Sequence, residues 1–264
     1  MKSFRRTVYD HYRKHYRPMP WRDTRDPYRI LVSEIMLQQT QVSRVLEKYK
    51  EFIRRFPTMR RLGRAPLADV LAAWQGLGYN RRALALKRLA AEVVARYGGK
   101  LPDCREALES LPGIGEATAG AIMAYAFNAP AVYIETNIRT VYIHHFFKDR
   151  VNVRDEALIP YIEKTLDRKD PREWYYALMD YGVYLKSVLP DPARRSSRYR
   201  KQPRFKGSDR QVRGKIMKLL TDKRCMTKAA LYRALGEDNE RFGRITAALV
   251  REGLVRQSGP SVFL

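Results

Sequence analysis

The sequence predicts an all-α main domain followed by a small C-terminal domain of three helices and a β-hairpin. Three observations predict it. Apolar residues over positions 1–190 recur at helical spacing, and no alternating strand pattern of any length appears there. The stretch 190–208, PDPARRSSRYRKQPRFKGS, has almost no apolar side chains and reads as a basic linker, either a solvated tether or a segment that contacts a phosphate backbone. Beyond it, short helical blocks give way to two short apolar runs joined through Gly259 and Pro260.

Each element follows from its own signal. From Val42 the stripe Val42, Val45, Leu46, Tyr49, Phe52, Ile53 and Phe56 is one face of an amphipathic helix. Further helices are expected over 66–74, 81–97, 105–110, 116–127, 137–147, 156–167 and 172–186. Pro57, Gly63, Gly76, Gly78, Gly98, Gly99, Pro102, Pro112 and Pro130 punctuate them. After the linker, helices are expected over 211–220, over 227–235 with Thr227 as N-cap, and over 239–252 with Arg241, Arg244 and Arg251. Strands over 254–256 and 261–264 complete the layout of a winged helix, a module used on DNA or on protein. The expected boundaries are a domain over 1–189, a linker over 190–207 and a winged helix over 208–264.

Composition narrows the function. The 264 residues carry a net charge of +24 and a pI near 10.2, which calls for a polyanionic partner. Nucleic acid is the first candidate and an acidic membrane surface the rival. No apolar run has spanning length, and the N-terminus MKSFRRTVYDHYRKHYR has no apolar signal core, so a soluble, cytoplasmic protein is expected. Two cysteines, Cys104 and Cys225, are too few for a four-cysteine metal or iron–sulfur site.

Four segments carry chemistry. Leu111 to Gly115, LPGIG, joins two helices. Gly113 and Gly115 permit a tight turn whose amides face outward at a helix N-terminus, a phosphate grip that reads no bases. Glu34 falls inside the apolar run 30–37. Burial raises a carboxyl pKa and suits a general acid, although pairing with Arg22 or Arg29 would make Glu34 structural. The polar cluster Gln38, Gln39, Thr40 and Gln41 follows, with amides able to contact base edges. WQGLGYNRRA sets Leu77 and Tyr79 on a glycine-flanked turn, where they either wedge into a base stack or pack between helices. In YIETNIRTV, Glu135 heads a helix with Asn137 beside it.

The order PWR, DPY, SEIMLQQTQV, GLGYNRRA, LPGIGEATAGAI, IETN and ALMDYG resembles the helix–hairpin–helix DNA glycosylase superfamily over roughly residues 5–187. Within it the chain is similar to MutY-type adenine glycosylases rather than to endonuclease III. The resemblance implies a two-lobed helical domain with its active site between the lobes. It gives Glu34 the proton donor's place and sets Arg17, Trp21 and Arg22 in the base pocket. Gln39, Thr40, Leu77 and Tyr79 fall at the stack-probing positions, and Glu135 and Asn137 fall where the family reads Asp-Gly-Asn.

The chain departs from the family in four places. Glu135 is one methylene longer than the usual Asp. Ala117 stands where bifunctional relatives hold a Schiff-base lysine, so lyase activity is not expected. YLKSVLPDPARRSSRYRK after ALMDYG has no cysteine, so no iron–sulfur cluster and no other cofactor or metal is expected. The domain that recognises 8-oxoguanine is replaced by the winged helix. The expected partner is double-stranded DNA with a mismatched or damaged base, bound by a monomer, with Arg194, Arg195, Arg241 and Arg244 adding DNA contacts. The expected reaction is removal of a mispaired adenine. Removal of thymine, uracil or an oxidised pyrimidine, and a non-catalytic DNA-binding role, are the alternatives.

Overall fold

The computed structural model describes residues 1–264. Fourteen α-helices run along the chain: α1 Lys2–His15, α2 Pro27–Leu37, α3 Val42–Arg55, α4 Met59–Arg64, α5 Leu67–Trp74, α6 Arg81–Tyr97, α7 Arg105–Glu109, α8 Glu116–Phe127, α9 Thr136–Phe146, α10 Ile159–Thr165, α11 Pro171–Val188, α12 Asp209–Lys223, α13 Lys228–Leu235 and α14 Asn239–Arg251. Three short strands, β1 Cys225–Thr227, β2 Arg256–Ser258 and β3 Ser261–Phe263, form an antiparallel sheet in the order β1-β3-β2. Met226 and Gln257 both pair with Val262, the buried centre of the sheet.

The chain forms two compact units. One comprises residues 1–34 and 101–201. Its core gathers Phe4, Val8, Tyr142, Trp174, Tyr175 and Leu178, and α11 packs on α1, α8 and α9. Two glycines permit the closest approaches there. A Cβ on Gly120 would lie 2.5 Å from Tyr133, and one on Gly182 would lie 2.7 Å from Asn137. The small residues of EATAGAIMAYAF thus serve close packing, as their composition suggests. The other unit comprises residues 35–100 and 202–264. In it α4 packs on α6, and α12 packs on α5. Asp69 pairs with Arg224 at 2.9 Å, and Arg81 lies 3.8 Å from Glu252. Residues 208–264 are therefore built onto 35–100 by ion pairs as well as by the packing of α12 on α5.

Helix positions follow the periodicity closely for α3, α5, α6, α8 and α11. Four differences have physical causes. Residues 156–167 do not form one helix. A 3₁₀ turn, Asp155–Ala157, precedes α10, whose start is set by Pro160. The six-residue α4 is too short to show a period. Residues 190–201 are not a free tether: Pro192, Ala193 and Ser196 are buried, and Val153 pairs with Ser196. Finally, the hairpin strands sit at Arg256–Ser258 and Ser261–Phe263, and β1 adds a third strand.

Candidate active site

The centre is assembled on α2 and α9. Asp26 accepts the Tyr28 amide at 2.9 Å, Pro27 opens α2, and Ile30, Leu31, Val32, Ile35 and Met36 are buried along it. Glu34 is the only ionisable residue in that run after Arg29, and it is half-buried. Neither arginine that would make Glu34 structural pairs with it. Arg22 binds Asp180 at 2.8 Å, and Arg29 lies 3.6 Å from Asp26. Loss of water, then the nearby Glu135 charge, push the Glu34 carboxyl up to about 8, against a smaller pull from Arg22. At neutral pH Glu34 therefore holds a proton.

Glu135 is treated differently by the fold. It is the N-cap of α9 and accepts from the amides of Asn137 and, at 2.9 Å, Ile138. Asn137 Nδ2 reaches its second oxygen at 3.3 Å, while Asn137 Oδ1 is buried without a partner. Burial pushes the Glu135 carboxyl above its ordinary range. The Ile138 amide, Lys186, the Asn137 amide and Arg139 pull it back. The helix start thus supplies Glu135 with donors that favour its charged form, and Glu34 has no such set.

Asp180 organises the segment before α2, and the sequence reading gave it no role. Its side chain is fully buried. It accepts Arg17 Nε at 2.7 Å, the Arg17 amide at 3.2 Å and both terminal nitrogens of Arg22 at 2.8 Å. Arg22 also lies over the Tyr176 ring, 4.6 Å from its centroid. Arg172 secures the same segment through the carbonyls of Arg22 at 2.9 Å and Thr24 at 2.5 Å. Trp21 is 3% exposed. Arg17 and Arg22 are thus committed to Asp180, and they shape the site as its scaffold rather than as free cations.

The hairpin is formed by residues 110–115 between α7 and α8. Ile114 N closes onto Leu111 O at 3.2 Å, Gly113 takes φ +83°, and Gly115 is the N-cap of α8. Leu111 is buried as the anchor of this turn. The first amides of α8 have no helical acceptor and face an anion's natural position. Ala117 lies in that first turn, packed against the core.

In the second unit, Gln39 is exposed at φ +53° and Tyr79 at φ +48°. Leu77 corrects the expectation of a wedge: it is 2% exposed, so its side chain is a core group. Thr40 Oγ1 donates to the Leu77 carbonyl at 3.2 Å, and the Gln38 carbonyl receives Arg82. The Tyr79 hydroxyl accepts from Gln202 and from Arg210.

Three of the four arginines expected on DNA are occupied. Arg195 donates to the carbonyls of Phe147 and Lys148 at the end of α9. Arg241 binds Asp209, Glu237 and the Gly207 carbonyl, and Arg244 lies 2.8 Å from Asp209. Their basic charge draws them to local acceptors, which composition alone does not reveal. Arg194 remains exposed. Both cysteines are exposed and free, one in each unit, and the segment after α11 is occupied by the Arg195 contacts and the Ser196 bridge. This donor set does not fit an iron–sulfur cluster.

Comparison with known proteins accords with this geometry. Residues 32–164 match the model of the HhH-GPD superfamily base excision DNA repair proteins, and the chain belongs to that family. It is 32% identical to the adenine DNA glycosylase of Mycobacterium tuberculosis, over 94% of this chain and 88% of that one. It is 31% identical to the thymine/uracil-DNA glycosylase of Methanothermobacter thermautotrophicus, over 70% and 85%. Against the adenine DNA glycosylase of Buchnera aphidicola the chain spans 48% of the relative's length, at 34% identity over 63% of this chain. Among solved structures, a thermostable thymine-DNA glycosylase superposes with a TM-score of 0.63 at 31% identity, covering 69% of this chain and 85% of that one. An endonuclease III–DNA complex shares the fold, with a TM-score of 0.54 at 20% identity, covering 70% and 83%.

Proposed function

We propose that the protein is a monofunctional DNA glycosylase that flips a mispaired adenine out of duplex DNA and hydrolyses its N-glycosidic bond. The observation that carries this is the Glu34 carboxyl, set without an ion-pair partner in the family's acid position where its surroundings raise its proton affinity, beside a second carboxyl whose charge a helix start supports. Glu34 delivers its proton to the leaving base, and the glycosidic electron pair departs with that base. Glu135 stabilises the positive charge that develops on the sugar. Water adds at the anomeric carbon, and its released proton restores Glu34. Glu135 in place of the family's Asp reaches the sugar with one more methylene. Similarity to adenine glycosylases over nearly the whole chain favours adenine. Thymine or uracil is the second reading, favoured by the 31% identity to thymine/uracil enzymes.

Duplex binding uses the hairpin amides, the Gln39 and Tyr79 turns, and a C-terminal winged helix acting as a DNA clamp in a monomeric, cytoplasmic enzyme. Ala117 offers no amine, so the product retains an intact abasic site. The enzyme works without iron. A panel of mispaired duplexes tests the reading. Release of adenine from A/G or A/8-oxoG pairs is expected, with strand breaks only after alkali and no covalent borohydride trapping at the rate of release. Release confined to T/G or U/G would move the substrate to the second reading. Stoichiometric iron in anaerobically purified protein would contradict the cofactor-free reading.

A further inference from the structure

Arg82 lies in the first turn of α6; its two terminal nitrogens bond only neutral acceptors, and its Nε is buried without a partner. One terminal nitrogen donates to the carbonyls of Ile35 at 2.9 Å, Met36 at 2.8 Å and Gln38 at 2.5 Å. The other donates to Thr40 Oγ1 at 2.8 Å and to the carbonyls of Leu77 at 3.1 Å and Gly78 at 3.2 Å. One planar fork therefore collects the last carbonyls of α2, the turn over 38–40 and the turn over 75–79. The rings of Trp74 and Tyr79 flank it, with centroids at 5.5 and 5.4 Å. Burial lowers its pKa to about 10, so it stays charged at neutral pH.

The two joined turns are strained. Gln39 and Tyr79 hold left-handed backbones that side chains other than glycine rarely adopt, and Gly76 and Gly78 lie at φ +92° and +71°. Such conformations persist only where the surroundings hold them. A buried cation with no carboxylate partner is a poor device for stability, since apolar residues of like volume usually serve as well. What the guanidinium adds is geometry: lysine carries the same charge but lacks the fork.

We propose that Arg82 is the positioning residue for base extrusion, locking the Gln39 and Tyr79 turns into one rigid edge that enters the DNA stack. The proposal rests on the glycosylase reading above. Its action is through the two turns, so its loss is felt in extrusion before chemistry.

The test uses full-length wild type, Arg82→Ala and Arg82→Lys on a duplex with 2-aminopurine beside the mispair. Fluorescence reports extrusion, single-turnover assays report base release, and gel shift reports binding. Circular dichroism melting identifies folded variants. Folded Arg82→Ala is expected to bind within threefold of wild type, to lose the fluorescence rise and to release base at least tenfold more slowly, with Arg82→Lys recovering part of both. Fluorescence and release within twofold of wild type in folded Arg82→Ala overturn the proposal. If Arg82→Ala does not fold, Arg82→Lys decides: full wild-type extrusion overturns it, and reduced extrusion supports it. Should wild type extrude the base yet release none from any mispair, the glycosylase reading fails while the fluorescence comparison still decides Arg82. A wild type that gives no fluorescence rise overturns both.

Discussion

The centre around Glu34 and the C-terminal segment around Asp209 use charge in opposite ways. At the centre, a half-buried carboxyl has no ion-pair partner, and its proton affinity shifts up to about 8. In the C-terminal segment, Arg241 and Arg244 converge on Asp209 and hold that carboxylate below its ordinary range through their hydrogen bonds. The first arrangement costs stability and, in the function proposed above, supplies the proton for base release. The second is exposed, adds little stability, and holds α14 to the start of α12. Arginine abundance is therefore a poor guide to which cations are free to meet a phosphate, because many are already engaged by local acceptors.

The largest expected effect breaks the first half of that contrast. Glu34→Gln removes the transferable proton, and base release is expected to fall by about 10³- to 10⁴-fold while duplex affinity stays within a few-fold. Single-turnover rates near wild type would remove Glu34 from the mechanism. The same variant has a stability signature. Between the ordinary carboxyl value of 4.5 and about 8, the folded chain keeps a proton that the unfolded chain has released. Wild-type stability therefore declines as pH rises through that window. Glutamine does not titrate, so the melting advantage of Glu34→Gln should grow from pH 5 to pH 8.

Glu135 separates charge from capping. Glu135→Gln is expected to slow release by roughly 10²-fold, as removal of one electrostatic stabiliser does. Glu135→Asp restores the family's residue and should retain most of the rate. A Glu135→Gln rate near wild type with a large loss in Glu135→Asp would mean that reach, rather than charge, is what Glu135 supplies.

A smaller effect sharpens the other half. Arg194→Ala and Arg251→Ala remove exposed cations and should each lower the log–log salt slope of duplex binding by about 0.9 if each meets one phosphate. Arg241→Ala should leave the slope unchanged and lower the melting temperature, because its cation is already engaged by Asp209 and Glu237. A reversed pattern would contradict the assignment of paired and free arginines.

Much of this was readable from residues alone, for reasons that also explain what was not. The stripe beginning at Val42 and the Gly113–Gly115 turn are local, so spacing reveals them. Glu34 stood out because a carboxyl inside an apolar run is conspicuous. Asp180 was equally embedded, in ALMDYG, yet its role depends on Arg17 and Arg22, more than 150 residues away. Arg82 sits beside Arg81 in GLGYNRRA, and nothing local distinguishes them. Only the fold turns Arg82 onto the α2 carbonyls and leaves Arg81 exposed, 3.8 Å from Glu252. Leu77 misled for the same reason: a glycine-flanked turn suggests exposure, whereas its side chain points into the core.

The central claim is that a protonated Glu34 drives base release, and the pH dependence of single-turnover release tests it most directly. Wild type should show a rate that is level at neutral pH and falls tenfold per unit above a midpoint near 8, with that ionisation absent from the residual activity of Glu34→Gln. A wild-type rate that stays level to pH 9.5, or one that rises with pH, would contradict the account.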